Sequence, residues 1–164
     1  MRVPSLAVGL DRCPAGGGFR LQVVLDHASD ADLVSDEIKA AGVPVVYGPL
    51  FVPRDVMGRR RRSATVAVRL IERGVKVAMM TDHPVAPMRY LRLEVGLLIR
   101  EGLDWQKAMQ TVTSCSADIL GVSHQVGRLR PGLDADLIEW AGDPWQPSAH
   151  VSMVMVNGRA VQTR

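Results

Sequence analysis

The sequence predicts an α/β fold built on parallel strands, followed by a small β-element. Three short apolar runs, residues 21–27, 43–51 and 75–80, alternate with segments in which apolar residues recur at helical spacing. This alternation is typical of parallel strands joined by helical crossovers. After residue 121 the pattern changes to turn residues and short strands, and Asn157-Gly158 marks a tight hairpin. Because isolated hairpins are marginal in water, this last element is expected to pack against the rest of the chain.

The first two helices are delimited by capping residues. The run Leu21 to His27 is short and rich in Val and Leu, as expected of a strand buried on both faces. A helix follows it, and Gly42 is a suitable residue to end that helix. After the second strand, Ser63 is predicted to cap the N-terminus of a second helix, which stops at Gly74.

The remaining elements follow the same rules. A third helix is predicted over residues 90–101, and a fourth begins with Asp104 as its N-cap and breaks near Thr113. The first 18 residues are rich in Gly and Pro and show no clear period. We therefore divide the chain into an atypical segment 1–18, a strand–helix region 19–122 and a β-element 123–164.

The composition restricts the class of protein. Of the 164 residues, 47% are hydrophobic and 23% are charged, which is a globular rather than a disordered balance. No apolar run reaches the roughly 18 residues that a membrane span needs, and the first residues lack the apolar core of a signal peptide. Cys13 and Cys115 lie far apart without CxxC spacing, so we expect two free thiols in a cytoplasmic protein.

The net charge of +3 comes largely from one basic run, Arg59 to Arg62. A basic run can contact nucleic acid. No aromatic residues interleave with it, and it lies between a predicted strand and a predicted helix. A solvated loop is therefore the favoured interpretation, and nucleic-acid binding is not expected.

Two of the strands end in residues that bind metals. The first strand ends in His27, and Asp82 follows the third strand after one threonine. Because active sites of parallel α/β folds lie at the carboxyl ends of the strands, both side chains are expected at one edge if the three strands are neighbours. There they would ligate a zinc-like ion, and Asp82 would accept a proton. The alternative is structural: His27 satisfies a backbone group and Asp82 caps the next segment.

Three longer motifs carry a family resemblance. They read LDHASDADLVSDEIKAAGVPVVYGPLF at residues 25–51, TDHPV at 81–85, and VGRLRPGLDADLIEWAGDPWQPSAHVSMVMVNGRAV at 126–161. Together they resemble the amidohydrolase superfamily, in particular its imidazolonepropionase-like branch. The last motif is the most specific, and the resemblance covers roughly residues 17–162.

The resemblance implies a partial (β/α)8 TIM-type barrel, comprising the last three strands and their helices, and a small C-terminal β-element of a composite β-sandwich. Residues 21–27, 43–48 and 75–82 would be barrel strands six, seven and eight. His27 matches the strand-six histidine, which binds metal or polarises substrate. Asp82 matches the strand-eight aspartate, which binds metal and shuttles a proton during hydroxide attack. The implied cofactor is a divalent metal, with zinc favoured and iron or manganese as alternatives.

The family's other ligands have no counterpart, since no His-x-His motif, bridging Lys or Glu, or strand-five histidine matches. The sequence is therefore expected to be the C-terminal part of an enzyme that hydrolyses a C–N bond of a small molecule, such as a cyclic amide. His83 is expected to point away from Asp82, as neighbours on a strand do. This chain alone is expected to be inactive and to form homo-oligomers through unpaired strand edges. The rival hypothesis is a non-catalytic α/β remnant that serves as a binding or oligomerisation module.

Overall fold

Two β-sheets organise the chain. The computed structural model describes residues 6–9, 23–51 and 63–163. Its strands are β1 (Leu6–Gly9), β2 (Val24–His27), β3 (Val45–Tyr47), β4 (Val77–Met79), β5 (Leu137–Ala141), β6 (His150–Val156) and β7 (Arg159–Thr163). The larger sheet has the order β1-β2-β3-β4, and the smaller has the order β5-β6-β7. Strands β2, β3 and β4 are parallel, as the alternating pattern predicts.

Helices connect these strands and follow the last of them. The helices are α1 (Ser35–Ala41), α2 (Ala64–Glu72), α3 (Leu91–Arg100), α4 (Trp105–Gln110) and α5 (Ser114–Leu120), with 3-10 turns at Ala31–Val34 and Met88–Tyr90. Two predicted caps are confirmed: Ser63 accepts a hydrogen bond from the Thr65 amide, and Gly42 ends α1 in a left-handed conformation. The limits of α3 agree with the prediction within one residue at each end.

The core forms where the parallel strands meet the crossover helices. Its most buried members lie on β3, β4, α2 and α3, and include Val45, Tyr47, Val77, Ala67, Leu70, Val95 and Leu98. The buried Tyr47 also fixes the start of α2, because its hydroxyl donates to the Ser63 carbonyl and accepts from the Ser63 amide. The apolar spacing of these segments therefore places one face of each helix against the sheet.

The predicted break in the fourth helix is confirmed. The chain leaves α4 after Gln110 and begins α5 at Ser114. Between the two helices, the carbonyl of the buried Thr111 accepts a hydrogen bond of 3.0 Å from the Met79 amide of β4. At Thr113, with φ −131° and ψ −95°, the backbone leaves the helical conformation, and the helix is interrupted there.

Helix α4 offers a simple test of capping. The Asp104 carboxylate accepts hydrogen bonds from the amides of Gln106 and Lys107 at 3.0 and 3.1 Å. Asp104→Ala leaves both amides without this acceptor, so we expect urea unfolding to show a loss of about 1 kcal/mol. Asp104→Asn retains an acceptor oxygen and should recover most of that loss. Equal losses in the two variants would contradict the capping role.

Strand β1 is a feature that the sequence does not predict. The first 18 residues give no strand pattern, yet β1 pairs antiparallel with β2, with Leu6 opposite His27. The larger sheet is therefore mixed rather than purely parallel. Pairing between distant short segments depends on tertiary context, which a four-residue run does not encode.

The C-terminal strands form a separate antiparallel sheet, as expected. Asn157 and Gly158 both have positive φ angles, +49° and +74°, which is the conformation of a type I′ hairpin turn. Arg92 of α3 attaches this region: its guanidinium donates to the Ala149 carbonyl at 3.1 Å and lies 5.1 Å from the centre of the Trp140 ring. The expected packing of the tail against the rest of the chain is confirmed.

The remaining sequence predictions concern the two cysteines, the basic run and membrane spans. Cys13 and the run Arg59 to Arg62 lie outside the described residues. Cys115 is a free thiol, and its partial burial raises its pKa. Within the described ranges, none of the helices has the length and apolar character needed to cross a membrane.

Candidate metal centre

His27 and Asp82 meet at the carboxyl edge of the parallel strands. Strand β3 lies between β2 and β4, so the two side chains emerge from strands that flank the same neighbour. His27 Nε2 lies 3.7 Å from Asp82 Oδ2, and the side chains are 18% and 34% exposed. The predicted juxtaposition is confirmed. The role of the pair as metal ligands remains a prediction.

The backbone that follows β3 orients the His27 ring. Nδ1 lies 2.8 Å from the carbonyl oxygen of Gly48. Because a carbonyl only accepts, Nδ1 carries the proton and donates it. In the neutral ring Nε2 is then a bare lone pair directed towards Asp82. Part of the structural alternative therefore also holds, since His27 satisfies a backbone group with one nitrogen while leaving the other available.

Gly48 can serve in this way because it has no side chain. Its φ angle is +142°, and a Cβ atom built there would lie 1.9 Å from the carbonyl oxygen of Met80. The Met80 amide donates to the Tyr47 carbonyl one residue earlier, so the ends of β3 and β4 approach closely at this point. Glycine is the residue that permits such close backbone approach.

The donor atoms fit a divalent metal ion. A separation of 3.7 Å is too long for a hydrogen bond between His27 Nε2 and Asp82 Oδ2. Two ligand atoms bound at about 2.1 Å to a tetrahedral ion lie about 3.4 Å apart, which is close to the observed distance. An imidazole fixed by a carbonyl on its far nitrogen is also the usual arrangement of a histidine ligand.

Both site residues have unusual backbone conformations. His27, Ala28 and Asp82 have φ angles of +62°, +32° and +52°, in the left-handed region that non-glycine residues rarely adopt. Each such residue costs on the order of 1–3 kcal/mol and persists where the surrounding structure determines it. Backbone strain at the ends of two strands that flank the same neighbour is typical of a functional site.

A second carboxylate, which the sequence argument missed, lies beside the pair. Asp26 Oδ1 accepts a hydrogen bond from the His27 amide at 2.9 Å, and its Oδ2 lies 3.9 Å from His27 Nε2. The signal was present in the sequence, since Asp26 immediately precedes His27.

Across the described residues, no group of three His, Cys, Asp or Glu side chains is arranged to hold a metal. His83 is exposed beside Asp82.

Aromatic and basic side chains lie on the segments that follow β3 and β4. The rings of Phe51 and Tyr90 pack edge to face with centroids 5.9 Å apart. The Arg89 guanidinium lies 5.1 Å from the centre of the Tyr90 ring. Met88 is exposed next to them. No residue of the chain is assigned to substrate binding from the sequence.

The sequence of the chain matches the amidohydrolase family over residues 18–161. The chain therefore belongs to that family, whose members are generally metal-dependent hydrolases. A curated relative, amidohydrolase tasK of Hapsidospora irregularis, is 31% identical over 91 residues, which are 56% of this chain and 9% of that protein.

Solved structures agree with this assignment. An amidohydrolase from Thermotoga maritima MSB8 superposes with a TM-score of 0.81 at 30% identity, covering 86% of this chain and 37% of that one. An adenosine deaminase from Xanthomonas campestris with bound zinc gives a TM-score of 0.64 at 19% identity, covering 85% and 37%. The second likeness concerns the fold alone. The chain spans well under half the length of these relatives.

Proposed function

We propose that this chain supplies the last part of a metal-dependent amidohydrolase that cleaves a C–N bond in a small molecule, such as a cyclic amide. The observation that carries the proposal is the His27–Asp82 pair, 3.7 Å apart, with the far nitrogen of His27 fixed by a backbone carbonyl. The imidazolonepropionase-like motifs of the sequence favour a cyclic substrate. On this proposal the parallel strands belong to a (β/α)8 barrel, and β5–β7 belong to a composite β-sandwich.

The two side chains have different roles in the proposed reaction. A divalent ion, with zinc favoured and iron or manganese as alternatives, supplies Lewis-acid polarisation and a more acidic water when bound. Nε2 of His27 is the nitrogen that would hold the ion. Nδ1 keeps the ring oriented through its hydrogen bond to the Gly48 carbonyl. Asp82, which is one-third exposed, accepts the proton of the attacking water and returns it to the leaving nitrogen.

We further propose that the 164-residue chain alone hydrolyses C–N bonds poorly. A catalytic zinc site usually has three protein ligands and an open position, whereas the described residues bring two together. We therefore expect purified protein to contain substoichiometric metal. Stoichiometric zinc with metal-dependent turnover would contradict this expectation. Open strand edges also favour self-association, which size-exclusion chromatography would detect.

Reconstitution tests the proposed activity. The chain is co-expressed with the part of the Thermotoga maritima amidohydrolase that it does not match, and the complex is screened against lactams, imidazolones, linear amides and carboxylic esters. We expect C–N cleavage that a chelator abolishes and that added zinc or manganese restores. A metal-loaded complex that cleaves esters but no C–N bond would contradict the proposal.

A further inference from the structure

A buried carboxylate connects helix α3 to the segment that follows β3. Glu94 is fully buried, with a relative exposure of 0%. Its Oε1 accepts hydrogen bonds from the amides of Leu50 at 2.8 Å and Phe51 at 3.3 Å. Burying a carboxylate is costly unless such donors stabilise it, and hydrogen bonds to a charged acceptor are stronger than neutral ones. The contact therefore fixes the position of residues 50 and 51 relative to α3.

The same segment also holds the ring of His27. Gly48, two residues before Leu50, offers the carbonyl that accepts the Nδ1 proton of His27. Only Pro49 separates the two anchor points; it is fully buried, and its ring restricts its φ angle. Few backbone torsions thus separate the Glu94 contact from the His27 contact. A displacement of residues 50 and 51 would therefore move the Gly48 carbonyl.

We propose that Glu94 is a positioning residue for His27. By holding residues 48–51 in place, its carboxylate sets the Gly48 carbonyl so that Nδ1 carries the proton and Nε2 faces Asp82. The expected effect of Glu94 on metal affinity rests on the proposed function. Its expected effect on which ring nitrogen of His27 carries the proton does not. Groups that orient a histidine ligand from outside typically change metal affinity by about 10–100-fold when they are removed.

The His27 tautomer is the direct readout. Long-range ¹H–¹⁵N NMR spectra of the 164-residue chain, recorded at about pH 8 where an ordinary imidazole is neutral, distinguish a protonated ring nitrogen from a bare one. In the unsubstituted chain we expect Nδ1 protonated and Nε2 bare. Glu94→Leu removes the acceptor at similar volume, so the signals should move towards a mixture of tautomers. Glu94→Gln keeps an acceptor oxygen and should restore the original spectrum.

Arg92→Leu is the matched control. It lies on the same helix and removes a different contact, the hydrogen bond to the Ala149 carbonyl. It should leave the His27 signals unchanged even though it weakens the packing of α3. Should Glu94→Leu fail to fold, Glu94→Asp replaces it, because the shorter side chain withdraws the carboxyl group from residues 50 and 51 without removing it from the helix. A folded variant of either kind with an unchanged His27 tautomer would overturn the positioning role.

Titration with Co²⁺ separates this proposal from the proposed function. We expect Glu94→Leu to weaken Co²⁺ binding by about tenfold or more, and Glu94→Gln to restore it. If Glu94→Leu changes the His27 tautomer but even the unsubstituted chain shows no His27-dependent Co²⁺ binding, the proposed metal site is contradicted and the positioning role is supported. If Co²⁺ binding depends on His27 but the tautomer is unchanged in Glu94→Leu, the metal site is supported and the positioning role is contradicted.

Discussion

Gly48→Ala is expected to destabilise the fold by about 4 kcal/mol, in the upper tail of single substitutions. The new Cβ would lie 1.9 Å from the Met80 carbonyl oxygen, and the backbone already has a φ angle of +142°. The ends of strands β3 and β4 must then separate. The Gly48 carbonyl, which accepts the Nδ1 proton of His27, moves with them. Urea unfolding followed by circular dichroism measures the loss of stability, and the His27 NMR signals report the loss of the acceptor.

Gly102→Ala is the matched control for this prediction. Gly102 also has a positive φ angle, +99°, but a Cβ atom there would meet no atom within 4 Å. Its substitution should cost about 1–2 kcal/mol, from backbone strain alone. The difference between the two variants measures the close approach of the strands. Equal losses would show that the proximity of Gly48 to Met80 has no energetic consequence.

Asp82→Asn is expected to lower the C–N hydrolysis rate of the reconstituted enzyme by about 10²–10⁴-fold. An amide side chain cannot accept the proton of the attacking water. A correctly positioned acid–base group typically accelerates a reaction by a factor of about that size. The volume of the side chain is unchanged, so folding should be preserved. Initial rates at saturating metal measure the effect, because saturation separates proton transfer from a lowered metal affinity.

Asp26→Asn controls for the loss of a nearby negative charge. Asp26 Oδ2 lies 3.9 Å from His27 Nε2, almost as close as Asp82, but its other oxygen holds the His27 amide. The asparagine oxygen preserves that acceptor, so the rate should fall by less than about tenfold. A larger loss in Asp26→Asn than in Asp82→Asn would mean that the proton-accepting role belongs to Asp26.

Local patterns were sufficient to predict the alternation of strands and helices and the meeting of His27 and Asp82. Side-chain caps such as Ser63 and Asp104 stabilise helix ends through nearby amides, so a short window of sequence contains both partners. The site pair followed from a topological rule, because parallel strands that flank a common neighbour expose their carboxyl ends at one edge.

The groups that support the pair were not predictable in the same way. Gly48 contributes a backbone carbonyl, which every residue carries, so no residue type marks it as the acceptor for His27. Glu94 occurs in an amphipathic helix, where a glutamate usually faces solvent. Its burial depends on the segment after β3 folding over it, 44 residues away in sequence. Such contacts are decided by tertiary packing.

We propose that His27 and Asp82 bind one divalent metal ion. The most direct test is isothermal titration of the 164-residue chain with Zn²⁺, for the unsubstituted protein and for His27→Ala, Asp82→Ala and His83→Ala. We predict one weak site that both His27→Ala and Asp82→Ala abolish and that His83→Ala, at the exposed neighbouring histidine, retains. Zn²⁺ binding that survives removal of both His27 and Asp82, or that disappears with His83, would contradict the account.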